Sequence, residues 1–319
     1  MDKRRLNIRG ELLRRGEARL GVKIRRKGFG MRGDAKHLVF GVCVAFVLLG
    51  AFVDAGVASA RTIYVPDDYA KIQWAVDNAS AGDTIIVRPG TYIENVYVDK
   101  SLEIRSYSQN PSDTIVKSFY HVFHVTADNV YISGFTVTGA TAHWGGICLD
   151  NSNNCRIENV NASDNYYGIY LYKSSNNIIA NNTVSSNNGN GTYLAYSSNK
   201  NTIANNIISS NNDSGIGLWS SSKLWGPINN NTITNNTVSN NGYGIYLSDS
   251  SNNTIYLNNF INNTDNVYSY DSANIWNSTE KITYTYNGKQ YTNYLGNYWS
   301  DYNGSDADGD GIGDTPYSI

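Results

Sequence analysis

A repeat restricts the fold of this chain more than any other feature. The segment GICLDNSNN at Gly146 returns as GIYLYKSSNN at Gly168, GTYLAYSSNK at Gly191, GIGLWSSS at Gly215 and GIYLSDSSNN at Gly244, with glycine spacings of 22, 23, 24 and 29. Periods of this size mark solenoids, in which each unit buries its apolar face only against its neighbours. Within each unit the first segment alternates. Ile147 and Leu149, Ile169 and Leu171, Ile216 and Leu218, and Ile245 and Leu247 therefore share one inward face. A second strand carries Ile157, Ile179, Ile203, Ile233 and Ile255, and a third carries Val184, Ile208 and Val238. Three short strands in roughly 22 residues leave no room for a helix, so the expected fold is all-β, a single-stranded right-handed parallel β-helix.

Asparagine is expected at the corners, with Asn159, Asn181, Asn205, Asn235 and Asn258 at equivalent positions. Asn tolerates the left-handed backbone of a sharp turn, and stacked amides can bond up and down the coils as a ladder. Many of these residues also fall in Asn-x-Ser/Thr sequons, such as Asn181, Asn235 and Asn277, a pattern this composition produces in any case.

Both ends of the solenoid need lids. Asp67 is expected to cap a helix that places Tyr69, Ile72, Val76 and Ala79 on one face and ends at Gly82. Strand-like segments follow at 84–87, 92–98, 102–105 and 130–137. At the other end, ITYTY, Asn287-Gly288 and KQYT read as a hairpin with a tight primed turn, whose tyrosines are expected to cap the last coil.

Upstream of the repeats, Leu38 to Phe52 is a fifteen-residue apolar run, preceded by Arg32 and Lys36 and followed by Ala58-Ser59-Ala60. It is shorter than the roughly 20 residues a bilayer-spanning helix needs, and reads as a secretory leader over residues 1–60. Eleven Lys or Arg within the first 30 residues exceed what a leader needs, which points to Met31 as the true start. Thirteen of the 25 basic residues but only five of the 27 acidic ones lie before Arg61, so the remainder carries a net charge of −10. Such a surface repels nucleic acid and anionic lipid, and the expectation is an extracytoplasmic protein with no membrane insertion after cleavage. The resulting division is a leader (1–60), the β-helix (61–266) and a capping hairpin with an acidic tail (267–319).

The opening TIYVPDDYAKIQWAVDNASAGDTIIVRPGTYIENVYV, the repeats NNTVSSNN and NTIYLNNFINN, and the ending LGNYWSDYNGSDADGDGIGDTPYSI resemble the NosD-like family of β-helix surface proteins, archaeal type, over residues 62–319. The resemblance implies export, a right-handed parallel β-helix and an association with carbohydrate binding and sugar hydrolysis. Family members often continue beyond the point where this chain stops, which raises truncation of the tail as an expectation. The family is named after a copper-maturation factor.

Three sets of residues carry candidate chemistry. Asp306, Asp308, Asp310 and Asp314 occupy positions 1, 3, 5 and 9 of a calcium loop with Gly311 at position 6; the carbonyl of Ile312 is a further ligand. Position 12 is Tyr317 rather than a bidentate Glu, so the expected Ca²⁺ is weakly held and structural. Copper needs soft or imidazole donors, of which residues 61–319 offer His121, His124, His143, Cys148 and Cys155. His121 and His124, three apart in an expected strand, are read as facing opposite ways. The third set is aromatic. Tyr170, Tyr172, Tyr193, Trp219 and Tyr246 point outward on one sheet, where rings in rows can stack on sugars or merely brace neighbouring coils.

Acids are sparse across the clear repeats, limited to Asp150, Glu158, Asp164, Asp213, Asp249 and Asp265, with Arg156 the sole arginine. Fragments resembling polygalacturonase (Asn263-Thr264-Asp265) and pectin methylesterase (Gly90 to Glu94) lack the rest of those motifs. No acid/base pair can be named. The reading is a surface β-helix that binds polysaccharide or builds the envelope with other surface proteins, without catalysis. The alternatives are a polysaccharide-active enzyme on the same fold and a copper-handling protein.

Overall fold

The computed structural model describes residues 59–221 and 226–319. All but the last two residues of the expected leader lie outside them. Across the described residues the chain winds as a right-handed parallel β-helix of three sheets, with nine, eight and nine strands. The first sheet runs from Thr62–Val65 to Thr254–Tyr256, and the second from Val96–Val98 to Asp265–Tyr270. The third runs from Gly90–Ile93 to Tyr298–Trp299. Each strand pairs in parallel with its counterpart one coil away, as Ile157, Ile179, Ile203, Ile233 and Ile255 do in the first sheet. The alternating aliphatic residues of all three sheets form one continuous buried core.

The glycine signature has a packing cause. A Cβ on Gly168 would lie 2.4 Å from Val184 Cγ1 and 2.6 Å from the carbonyl oxygen of Gly191. One on Gly215 would lie 2.4 Å from Val238 Cγ1. The chain enters the second sheet so close to the neighbouring coil that no side chain fits.

At the corner between the first and third sheets asparagine does two jobs, and two adjacent residues divide them. Asn181, Asn205 and Asn235 adopt the left-handed conformation at φ 57°, 57° and 55°, and all three are exposed. The residues that follow, Asn182, Asn206 and Asn236, are buried and form the ladder: Oδ1 of Asn206 and of Asn236 accepts the backbone N–H and Nδ2 of the asparagine one coil before, and Oδ1 of Asn182 accepts the N–H of Val160. Asn258 belongs to this buried column; Leu257 at φ 56° makes the corner there. The other two corners carry equivalent columns, Asn177–Asn201–Asn231–Asn253 and Asn165–Asn187–Asn211–Asn241.

The early strands are shorter than expected because corners interrupt them. The segment 92–98 splits into Gly90–Ile93 and Val96–Val98, and 130–137 into Tyr131–Ser133 and Thr136–Thr138. The lid helix spans Ile72–Asn78 and buries Ile72, Ala75 and Val76. Asp67 does not cap it. That carboxylate pairs with Arg88, while Glu94, contributed by the next coil, accepts the N–H groups of Ile72 and Gln73 at 3.1 and 3.0 Å. At the far end the coil continues past residue 266, through the strand Asp265–Tyr270. The hairpin forms as read, Ile282–Tyr286 against Lys289–Asn293, with Asn287 and Gly288 at φ 47° and 77°. It is not what closes the core. Trp299 stacks on Phe260 at 4.6 Å, and Tyr317 covers Trp299 at 4.4 Å.

Candidate functional site

The second sheet carries the aromatic residues in the expected register. Tyr170, Tyr193, Gly217, Tyr246 and Tyr268 occupy one row, and Tyr172, Ala195 and Trp219 the row two residues along. Tyr170 lies over Tyr193 with ring centroids 5.4 Å apart and planes at 12°; Tyr246 lies over Tyr268 at 4.8 Å and 10°. Tyr170, Tyr193 and Tyr246 are half-buried, whereas Tyr268 at the end of the row is exposed. Burial pushes the phenols of Tyr170 and Tyr193 well above their usual range and that of Tyr167 up to about 12. Rings in this sheet therefore brace neighbouring coils as well as facing outward.

Gly217 breaks the first row, and the break is a cavity. Its volume is about 370 Å³, and its lining includes Tyr167, Asn190, Tyr193, Asp213, Trp219 and Tyr246 around Gly217. This falls in the range of small-ligand sites, roughly 300–1,000 Å³. Burial raises the Asp213 carboxyl above its ordinary value. Tyr172 stands apart from the cavity, separated from Trp219 by Ala195. Tyr196, turned outward at φ 51°, fills that interval with edge-on contacts to Tyr172 at 5.2 Å and to Trp219 at 5.5 Å. The sequence reading missed Tyr167, Asn190, Tyr196 and Asp213. Tyr167 lies in the strand of Tyr170, but at three residues' distance strict alternation would have turned it inward with Ile169, so nothing in the pattern pointed to it.

A larger cavity of about 820 Å³ lies at the C-terminal end, lined by Trp276, Tyr284, Tyr294, Trp299, Tyr302 and Tyr317. Its walls come from the hairpin, the strand at Trp299 and the tail.

The acidic loop curls on itself. The carboxylates of Asp306, Asp308 and Asp310 converge, with one oxygen from each within 4.8 Å of the others. Asp306 accepts the backbone N–H groups of Asp310 and Gly311, and Asp310 accepts that of Ile312. Asp314 turns instead to the N–H of Ala307. Tyr284 and Tyr291 of the hairpin hold the loop by donating to the carbonyls of Asp310 and Gly309. The position-12 residue, Tyr317, lies outside the cluster and donates to Asp301.

His121 and His124 do not face opposite ways. His121 precedes the strand Phe123–Val125 and sits in a corner, where strand alternation does not apply. Its ring lies 5.0 Å from that of His124. Burial, with the neighbouring His124, lowers the His121 pKa to about 4. Cys148 is buried beside them, its thiol pushed well up by that burial. Cys155, also a free thiol, is buried elsewhere in the core, and His143 packs against Tyr166.

Comparison with known proteins agrees with this architecture. A cell surface glycoprotein of Methanothermus fervidus is 32% identical over 44% of this chain, which spans 29% of the length of that relative. The catalytic unit of a thermostable α-1,3-glucanase from Streptomyces thermodiastaticus superposes with a TM-score of 0.51 at 16% identity, covering 60% of this chain and 37% of the other. An alginate lyase from a Paenibacillus species covers 67% of this chain and 95% of its own at a TM-score of 0.43 and 19% identity. At 16% identity the glucanase likeness shows a shared fold alone. Residues 76–304 match the family model described as periplasmic copper-binding protein (NosD), so most of this parallel β-helix, from the lid helix to the tail, belongs to the NosD family.

Proposed function

We propose that this chain is a cell-surface β-helix protein that holds neutral polysaccharide along the aromatic face of its second sheet and performs no chemistry on it. The observation that carries the reading is the Gly217 cavity. A missing side chain opens one position in an otherwise continuous tyrosine row, beside the largest ring of the face, Trp219. Flat aromatic walls suit the apolar faces of pyranose rings, and Asn190, Ser214 and Asp213 supply polar groups at the edge. Asp213 is the one carboxylate among the described lining residues, so the cavity lacks the paired carboxylates of a glycosidase. The acidic surface disfavours polyuronates. A surface location follows the glycoprotein relative, and envelope proteins would then be neighbours.

The test is glycan-array screening followed by calorimetry. Trp219→Ala should weaken binding by about 1–3 kcal/mol, as for a central aromatic anchor, and Gly217→Tyr should block it by closing the row. Assays for new reducing ends and for unsaturated products should stay at background. Should no polysaccharide bind the parent, or Trp219→Ala bind as tightly as the parent, the tyrosine rows are scaffolding. New reducing ends would instead favour the enzyme.

The acidic loop is read as a structural calcium site. Its support is the convergence of Asp306, Asp308 and Asp310, hard oxygen donors at calcium-loop spacing, on a loop pinned by Tyr284 and Tyr291.

A further inference from the structure

The Gly217 cavity carries a charge that the protein leaves unanswered. Asp213 stands at its exposed rim, and among the described residues its carboxylate forms no hydrogen bond or ion pair. Withdrawal from water alone moves its pKa, upward. Its field nevertheless crosses the cavity. Burial raises the phenols of Tyr167, Tyr193 and Tyr246, and the Asp213 carboxylate adds to the rise in each. Three of the four rings in the wall therefore lie within electrostatic reach of that charge, and Trp219 is the fourth. Tyr167 and Tyr193 stand side by side, with centroids 5.0 Å apart and planes at 32°. A Cβ on Gly217 would lie 3.2 Å from Tyr193 Cδ2, so the glycine is what leaves this ring uncovered. Aromatic faces are negative, and a carboxylate among them makes the whole wall so.

We propose that this cavity is an aromatic cage for a quaternary ammonium group, with Tyr167, Tyr193, Trp219 and Tyr246 as its walls and Asp213 as the counter-charge. A cation over aromatic rings is held by their quadrupoles, and more strongly where water is partly excluded. The class of cation follows from what the wall lacks. A hard metal ion such as Ca²⁺ takes roughly six to eight oxygen ligands, and the cavity offers a single carboxylate among rings. A primary ammonium carries N–H donors that each need an acceptor. The acceptor oxygen of Asn190 is already taken, by the backbone N–H of Ser214 at 3.1 Å and by the Ser214 hydroxyl. A quaternary ammonium has no donor to satisfy and presents only methyl groups to the rings. The net charge of −10 over residues 61–319 draws cations towards the surface in any case. The cage shares its cavity with the polysaccharide reading without resting on it. A bound cation occupies the seat of the sugar, and so regulates whether the sugar can enter.

The experiment titrates the purified protein with choline and, in parallel, with its uncharged isostere, in which a tert-butyl group replaces the trimethylammonium. Calorimetry measures affinity, and the choline methyl resonance should move upfield under the shielding of the rings. Choline should bind saturably and at least about fivefold tighter than the isostere. Trp219→Ala and Asp213→Asn should each weaken it at least about threefold. Asp164→Asn, at an exposed corner outside the cavity, should leave it unchanged. Circular dichroism checks folding, and Asp213→Asn, at the rim, serves where Trp219→Ala does not fold. Equal affinity for choline and the isostere, no saturable choline binding, or equal losses in Asp213→Asn and Asp164→Asn overturns the cage. The two readings of the cavity fail separately. Polysaccharide binding without choline binding refutes the cage and spares the sugar seat, and choline binding without polysaccharide binding does the reverse. Where both bind, choline should raise the apparent Kd of the polysaccharide; independent binding places the cation elsewhere and overturns the cage.

Discussion

Replacing Asn206 with alanine removes four hydrogen bonds from one buried side chain. Its Oδ1 accepts the backbone N–H of Asn182 at 2.9 Å and the Nδ2 of the same residue at 3.1 Å. Its Nδ2 donates to the carbonyl of Ile179 and to Oδ1 of Asn236, both at 2.9 Å. Two of the four losses are cushioned. Asn182 Nδ2 still reaches the carbonyl of Ile157, and Asn236 Oδ1 still accepts the backbone N–H at position 206. The Asn182 N–H has no such substitute and is left buried and unpaired, at a cost of about 1–3 kcal/mol. Losing one acceptor contact at Ile179 adds roughly 1 kcal/mol. The sum is about 2–4 kcal/mol.

The adjacent Asn205 provides the control. It is exposed, sits at φ 57° and makes the corner, so Asn205→Gly should stay within about 0.5 kcal/mol of the parent. Urea denaturation followed by far-ultraviolet circular dichroism measures both variants, and equal m-values license the comparison. If the two substitutions cost the same, or if Asn206→Ala shifts the midpoint no more than Asn205→Gly, the division of labour between corner and ladder is wrong.

Gly191→Ala should destabilise by about 1–3 kcal/mol or more, because its Cβ would meet the carbonyl oxygen of Gly215 at 2.8 Å and Ile208 Cγ2 at 2.8 Å; thermal unfolding reads this. Asp83 accepts the backbone N–H groups of Arg61 and Ser80 and the Arg61 side chain, and the Arg61 N–H contributes most to lowering its pKa below 3.8. Its stabilising contribution is therefore present above pH 3.8 and lost as pH falls through the lowered folded-state value. Amide exchange in the strand Thr62–Val65 should rise in that window, and Asp83→Asn should remove the dependence. Calcium should protect the tail around Asp306 to Asp314 from proteolysis, and Asp306→Asn with Asp310→Asn should abolish the protection; an unchanged digestion pattern in EDTA refutes the calcium reading.

By itself the sequence determined the solenoid and its interior. Burial in stacked coils imposes a period near 22 and a strict alternation, and both survive as written patterns: Ile147 and Leu149 through Ile245 and Leu247, the isoleucine column from Ile157 to Ile255, and the aromatic rows with their gap at Gly217. The Asn287-Gly288 turn was legible for the same reason, since its backbone demand is met by two adjacent residues. What only the tertiary structure decided depends on register across coils or on contacts between distant segments. Asn181 and Asn182 are the same residue type side by side, and only the phase of the corner shows which one turns outward and which joins the ladder. Glu94 caps a helix 21 residues before it, so local capping rules pointed to Asp67 instead. The clearest case is His121, His124 and Cys148. Cys148 follows His124 by 24 residues, one coil, a spacing visible in retrospect. His121, however, enters the cluster from a corner, where alternation no longer tells which way a side chain points.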